Sequence, residues 1–202
     1  NSGRAYIFDV TTGNLVHTLE NPSPGPNSSD YFGRSVDISG NYAVVGAYND
    51  DTTGSDSGRA YIFDVTTGNL VHTLENPSPN TSDRFGTSVA VSGNYAIVGA
   101  YLDDTTGTDS GRAYIFDTET GNLVHTLENP SPDSFDRFGV SVSISGNYAI
   151  VGAYYDDATG SDSGRAYIFD VTTGALLYTI ENPSPGPNSS DYFGYSVDIS
   201  GN

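Results

Sequence analysis

The feature that most constrains this chain is repetition. Ser-Gly-Arg-Ala-Tyr-Ile-Phe-Asp starts at Ser2, Ser57, Ser110 and Ser163, and a Phe-Gly pair stands at Phe32, Phe85, Phe138 and Phe193. The spacing sets a unit of about 53 residues, in the range of the longer propeller blades. A unit of this size cannot bury its apolar surface alone and must stack against its neighbours. Two extra residues, Gly25-Pro26 and Gly186-Pro187, widen one loop in the first and last copies. Ser163 to Asn202 copies Ser2 to Asn41 with five differences: Asn14/Ala175, Val16/Leu177, His17/Tyr178, Leu19/Ile180 and Arg34/Tyr195. A super-unit of three repeats is therefore starting over, as a longer array would do. The chain opens on Asn1 in mid-repeat, so a processed product or a piece of something longer is expected.

Each unit predicts four strands. In the copy beginning at Asp83, strand one spans Phe85 to Val91, with Phe85, Thr87, Val89 and Val91 on one face and small residues on the other. Ser92-Gly-Asn94 reads as a tight hairpin, with Gly93 free to take positive φ. Strand two is Tyr95 to Tyr101, strand three Arg112 to Asp117 and strand four Leu123 to Leu127. Strands two and three are apolar on both faces and must be covered on both. Glu-Asn-Pro-Ser-Pro follows each strand four, and its prolines stop any ladder, so it reads as a crossover. No segment carries a helical period. The expected fold is all-β: β-propeller blades of four antiparallel strands, about 3.75 of them in this chain. Blade spans fall at 30–82, 83–135 and 136–190, with a partial blade at 1–29 and a first strand at 191–202.

Charge narrows the partners. The 202 residues hold 25 acids against 7 basic residues, all Arg, for a formal net charge of −18. Phosphate binding needs clustered cations, so nucleic acid is an unsuitable partner, and so is an anionic membrane surface. No apolar run approaches the ~18 residues that would suggest membrane insertion. Cys is absent, so no disulfide staples the fold.

The unit resembles the FG-GAP repeat of integrin-like β-propellers and of bacterial surface proteins. Phe85-Gly86 matches the FG element. Gly99-Ala100-Tyr101 matches GAP with Tyr for Pro, as do Gly46-Ala47-Tyr48 and Gly152-Ala153-Tyr154. The resemblance implies a propeller displayed outside the cell or on its surface, acting in binding or adhesion. It also implies a calcium loop between strands one and two in integrin-type relatives. Here only Ser39-Gly-Asn41 or a copy stands there, too short for such a cage. By strand order the blade shared by the two ends would lack strand two, so a parent protein of 6 to 8 blades, or closure by another copy, is expected.

Five sets of residues are candidates for chemistry. The loop between strands two and three carries Asp50, Asp51 and Asp56, then Asp103, Asp104 and Asp109, then Asp156, Asp157 and Asp162. Three carboxylates around a Gly suit a hard cation such as calcium. The other reading is a solvated loop, with one Asp pairing the Arg three residues beyond it. Asp30, Asp83, Asp136 and Asp191 precede each Phe-Gly and suit bonding to turn N–H groups. His17, His72 and His125 recur at one position of strand four, which points to core or strand-edge packing; no catalytic triad can be drawn around them. Asn27, Asn80 and Asn188 begin glycosylation sequons in the crossover loop. The residue after Phe-Gly varies as Arg34, Thr87, Val140 and Tyr195, either by drift or to individualise a surface.

The expected function is non-enzymatic binding or adhesion toward a protein or glycan ligand, with calcium as a possible loop cation. The alternative is a structural subunit that self-associates into a filament or surface layer through incomplete blades.

Overall fold

The computed structural model describes residues 3–24, 29–157, 160–184, 186 and 190–201. Fourteen strands build one two-stranded and three four-stranded sheets among the described residues, and every pairing is antiparallel. β1 (Arg4–Phe8) pairs with β2 (Leu15–Glu20). The next sheet runs β3 (Val36–Ser39), β4 (Tyr42–Ala47), β5 (Arg59–Asp64), β6 (Leu70–Glu75). The third is β7 (Val89–Ser92), β8 (Tyr95–Ala100), β9 (Arg112–Asp117), β10 (Leu123–Glu128). The fourth is β11 (Ser141–Ser145), β12 (Tyr148–Ala153), β13 (Arg165–Asp170), β14 (Leu176–Glu181). Each sheet is a simple meander, as short turns between apolar strands dictate.

The sheets stack face to face, because β4, β5 and their copies are buried on both sides. The third sheet shows the division of labour. Val89, Val91, Val98, Tyr114 and Phe116 join Val44 and Ile62 of the sheet before, whereas Ile97, Ile115 and Leu127 join Val142, Val151 and Tyr167 of the sheet after. Phe85 is fully buried in the first of these cores, 5.7 Å from the Tyr114 ring and 6.0 Å edge-on from Phe116.

Strand one is shorter than its alternation predicts. Gly86 to Ser88 bend away while still bonding Gly99 of β8, and only Val89–Ser92 forms regular ladder. The reason is backbone geometry: Arg84 and Gly86 take φ of 61° and 89°, incompatible with an extended strand. Phe85 instead forms a parallel bridge to Gly58 of the preceding blade, and Phe32, Phe138 and Phe193 do likewise with Gly3, Gly111 and Gly164. The Phe-Gly element is thus a joint between blades.

Backbone contact explains the paired glycines. A Cβ on Gly99 would stand 1.9 Å from the carbonyl oxygen of Gly139 in the next blade, and one on Gly86 would stand 2.2 Å from that of Arg59. Only a residue without a side chain lets the chains approach so closely.

Side chains complete the seam. The inner strands β3, β7 and β11 lie side by side and are not laddered to one another, so their edges need other partners. Ser35 Oγ accepts from the Val89 N–H at 2.9 Å and Asp37 Oδ2 from Val91 at 2.7 Å. Ser88 Oγ accepts from Val142 at 3.0 Å, and Ser141 Oγ from Val197 at 3.0 Å. The small face read from sequence is therefore a row of acceptors for the next blade. At the outer rim, His17, His72 and His125 place Nε2 2.9–3.1 Å from the carbonyl oxygens of Thr66, Glu119 and Thr172 in the following blade. The histidines are strand-edge clamps.

Candidate binding site

The acidic loop between strands two and three gives each carboxylate a separate task. Asp50 and Asp103 are fully buried and Asp156 nearly so. Their Oδ2 atoms accept from the hydroxyls of Tyr61 (2.9 Å), Tyr114 (2.8 Å) and Tyr167 (2.5 Å). Burial, reinforced by the adjacent carboxylate, pushes all three tyrosine hydroxyls well above their ordinary range. Arg59, Arg112 and Arg165 stand 3.9, 3.9 and 3.6 Å from these same carboxylates and also pair with Glu75, Glu128 and Glu181. The Arg therefore reaches the first Asp of the loop rather than the last. Asp51 and Asp104 each accept a backbone N–H across the loop, from Asp56 and Asp109 at 2.7 Å. Asp56, Asp109 and Asp162 take φ near 50°, and Asp56 pairs with Arg84 of the next blade at 3.3 Å. Asp157 is exposed. Among the described residues, no group of three His, Cys, Asp or Glu stands close enough to hold a metal ion.

The Asp before Phe-Gly holds the crossover. Asn76 Nδ2 and the Asn80 N–H both donate to Asp83 Oδ2, at 2.8 and 2.6 Å, and Asn129 and Asp133 donate in the same way to Asp136. Asp83 Oδ1 is buried without a hydrogen-bond partner. Burial outweighs the donated N–H groups and raises both carboxyls to about 7. Asn80 is exposed on this crossover, as a sequon needs; Asn27 and Asn188 lie outside the described residues.

A second feature lies where the inner strands begin. An open basin of about 500 Å³ is lined by the tyrosines that replace Pro in the repeat, Tyr48, Tyr101 and Tyr154, and by the variable position, Arg34, Thr87, Val140 and Tyr195. Repetition brings these residues together, since every blade delivers the end of strand two and the start of strand one to the same place. Arg137 sits among the aromatic rings, with its guanidinium 4.8 Å from the Tyr155 ring centre, 5.7 Å from Tyr154 and 5.9 Å from Tyr101. Its Nη1 donates to the Tyr154 hydroxyl at 2.5 Å. Tyr195 meets Tyr154 edge-on at 5.1 Å. Arg34 lies over Tyr48 at 5.7 Å.

Sequence reasoning flagged the variable position and missed the tyrosines and Arg137. The usable signal was a large aromatic at a site where the repeat expects Pro.

The charge balance isolates this basin. Arg4, Arg59, Arg84, Arg112 and Arg165 each have a carboxylate within 4.0 Å. Among the described residues Arg34 and Arg137 alone have none, and both line the basin.

No curated protein sequence matches the chain. A crystal structure of the computationally designed Ika8 protein superposes with a TM-score of 0.53 at 20% identity, covering 86% of this chain and 42% of that one. That likeness concerns the fold. This chain spans less than half of that structure. The profile of the FG-GAP repeat matches residues 24–63, 72–116 and 127–169, each match covering the crossover and the first three strands of one four-stranded sheet. With more than half of its length matched, the chain belongs to the FG-GAP repeat family, as an integrin-like β-propeller module.

Proposed function

We propose that this propeller is a non-enzymatic binding or adhesion module displayed outside the cell, and that it takes its ligand in the tyrosine-lined basin. The observation that carries the reading is the pairing of five arginines with carboxylates while the two in the basin are left for something else. Concave, aromatic surfaces with a few convergent polar groups are where ligands bind. FG-GAP membership supports an extracellular setting. The test is retention of the chain on immobilised extracellular-matrix proteins and glycans, beside a Tyr101→Ser/Tyr154→Ser variant. Retention that the variant loses at unchanged fold supports the module. Failure of the native chain to bind any member of the panel overturns it.

A second reading, self-association, is favoured by one observation. Val36 and Ile38 are 55% and 52% exposed, whereas their copies Val89, Val91, Val142 and Ile144 are at most 6% exposed. A second copy could cover them as the preceding blade covers the others, and a head-to-tail contact of this kind propagates into rings or filaments. Light scattering on the eluting species tests this; a monomer at all concentrations sinks it.

A further inference from the structure

We propose that the basin recognises a carboxylate-bearing saccharide, an acidic sugar unit of the uronic-acid class. This rests on the binding-module reading above and narrows it. Three features of the basin point to that chemistry.

The first is charge. Arg137 is embedded among Tyr101, Tyr154 and Tyr155 with no carboxylate within ion-pair distance among the described residues. Burial keeps the Tyr154 hydroxyl protonated, so the hydrogen bond from Arg137 does not cancel the guanidinium charge. Asp157 and Asp162 line the adjoining depression with Arg137, and Asp109 feels its charge, but none of them forms an ion pair with it within 4.0 Å. With Nη1 held by the Tyr154 hydroxyl and Nε buried, the guanidinium still carries its full charge for a carboxylate. The wider field of a chain with net charge −18 opposes any anion, and a doubly charged phosphate twice as strongly as a single carboxylate. The site therefore suits one negative charge.

The second feature is an exposed aromatic ring. Tyr195 is 63% exposed and stands edge-on to the buried Tyr154, and a sugar offers an apolar C–H face to such a ring. Every aromatic in the lining is a tyrosine, so each face comes with a polar hydroxyl.

The third is the floor. Ser88 and Ser141 line the basin, and their Oγ atoms accept an N–H from the following blade, so each hydroxyl still has a proton to donate. A ligand rich in hydroxyls can use several such donors at once. At about 500 Å³ the basin has room for a short oligosaccharide.

The experiment is calorimetric titration of the full chain with trigalacturonate, its methyl ester, a neutral trisaccharide, inorganic phosphate and a short peptide ending in a free carboxylate. Arg137→Gln and Arg34→Tyr variants are run beside the native chain. The second variant uses the residue that the last copy carries at that position, so it keeps the fold if Arg137→Gln does not. The expected result is binding of trigalacturonate that weakens at least about tenfold in the methyl ester and in Arg137→Gln, and several-fold in Arg34→Tyr. Equal binding of acid and ester, tighter binding of phosphate or peptide, or no loss in either variant would each overturn the assignment. A native chain that binds neutral glycans or matrix proteins but no acidic sugar loses the ligand class and keeps the module. Binding to nothing in either panel removes both.

Discussion

Gly99 shows how much of this molecule rests on single positions. It faces Gly139 backbone to backbone, so a methyl group there must push two blades apart or twist one strand. Gly99→Ala is expected to cost about 3 kcal/mol, the upper end for overpacked core sites, and to lower the melting temperature accordingly. Gly93→Ala is the control: its φ is positive at 56°, unlike that of the extended Gly99, and nothing lies within 4 Å, so only conformational strain of about 1 kcal/mol is expected. Thermal melts of the two variants separate contact from strain; equal losses would refute the seam. At this scale the sequence spoke unevenly. It showed that glycine recurs at both positions, because repetition makes that visible. It could not show that the two glycines meet, since the contact joins residues about 40 apart through a backbone approach that leaves no side-chain pattern.

Strands and their connecting loops titrate in a way the overall charge hides. Asp83 and Asp136 have folded values near 7 against 3.8 for an ordinary carboxyl. The folded chain therefore holds more protons than the unfolded chain between about pH 4 and 7, and stability must fall as pH rises through that window. Asp9, Asp64, Asp117 and Asp170 behave oppositely. Turn N–H and hydroxyl groups donate to them and lower their values, to about 2 for Asp9, so their contribution is lost only as pH falls through that range. Maximum stability is expected near pH 4–5, and Asp83→Asn/Asp136→Asn should flatten the slope above it. A melting temperature that climbs from pH 5 to 7 would contradict the assignment. The acidic loops carry a separate prediction. Their carboxylates already accept from Tyr and backbone donors and stand beside Arg, so millimolar calcium or EDTA should move the melting temperature by less than about 1 °C. A rise of several degrees with calcium would establish the loop as a cation site. The four strands per unit were legible because alternation and double-sided apolarity set them. The early end of strand one was not, because Phe85 looks like any other strand residue until the preceding blade supplies its partner.

For the whole molecule, a net charge of −18 on a stack of thin sheets makes self-repulsion the main electrostatic term. Raising NaCl from about 20 to 200 mM shortens the screening length from roughly 20 to 7 Å and should raise the melting temperature by a few degrees. A fall would mean that the Arg–carboxylate pairs outweigh the repulsion. The propeller itself was readable from the period and the crossover prolines, whereas the basin was not, because it exists only where separate blades converge. One feature of that convergence reaches beyond this chain. The serine hydroxyls of each inner strand meet the amides of the next at fixed positions and in one direction. A gene encoding such joints can gain or lose whole repeats by unequal recombination between its nearly identical copies. Every product then meets the same coupling, so blade number can drift over generations without a single new contact having to be invented.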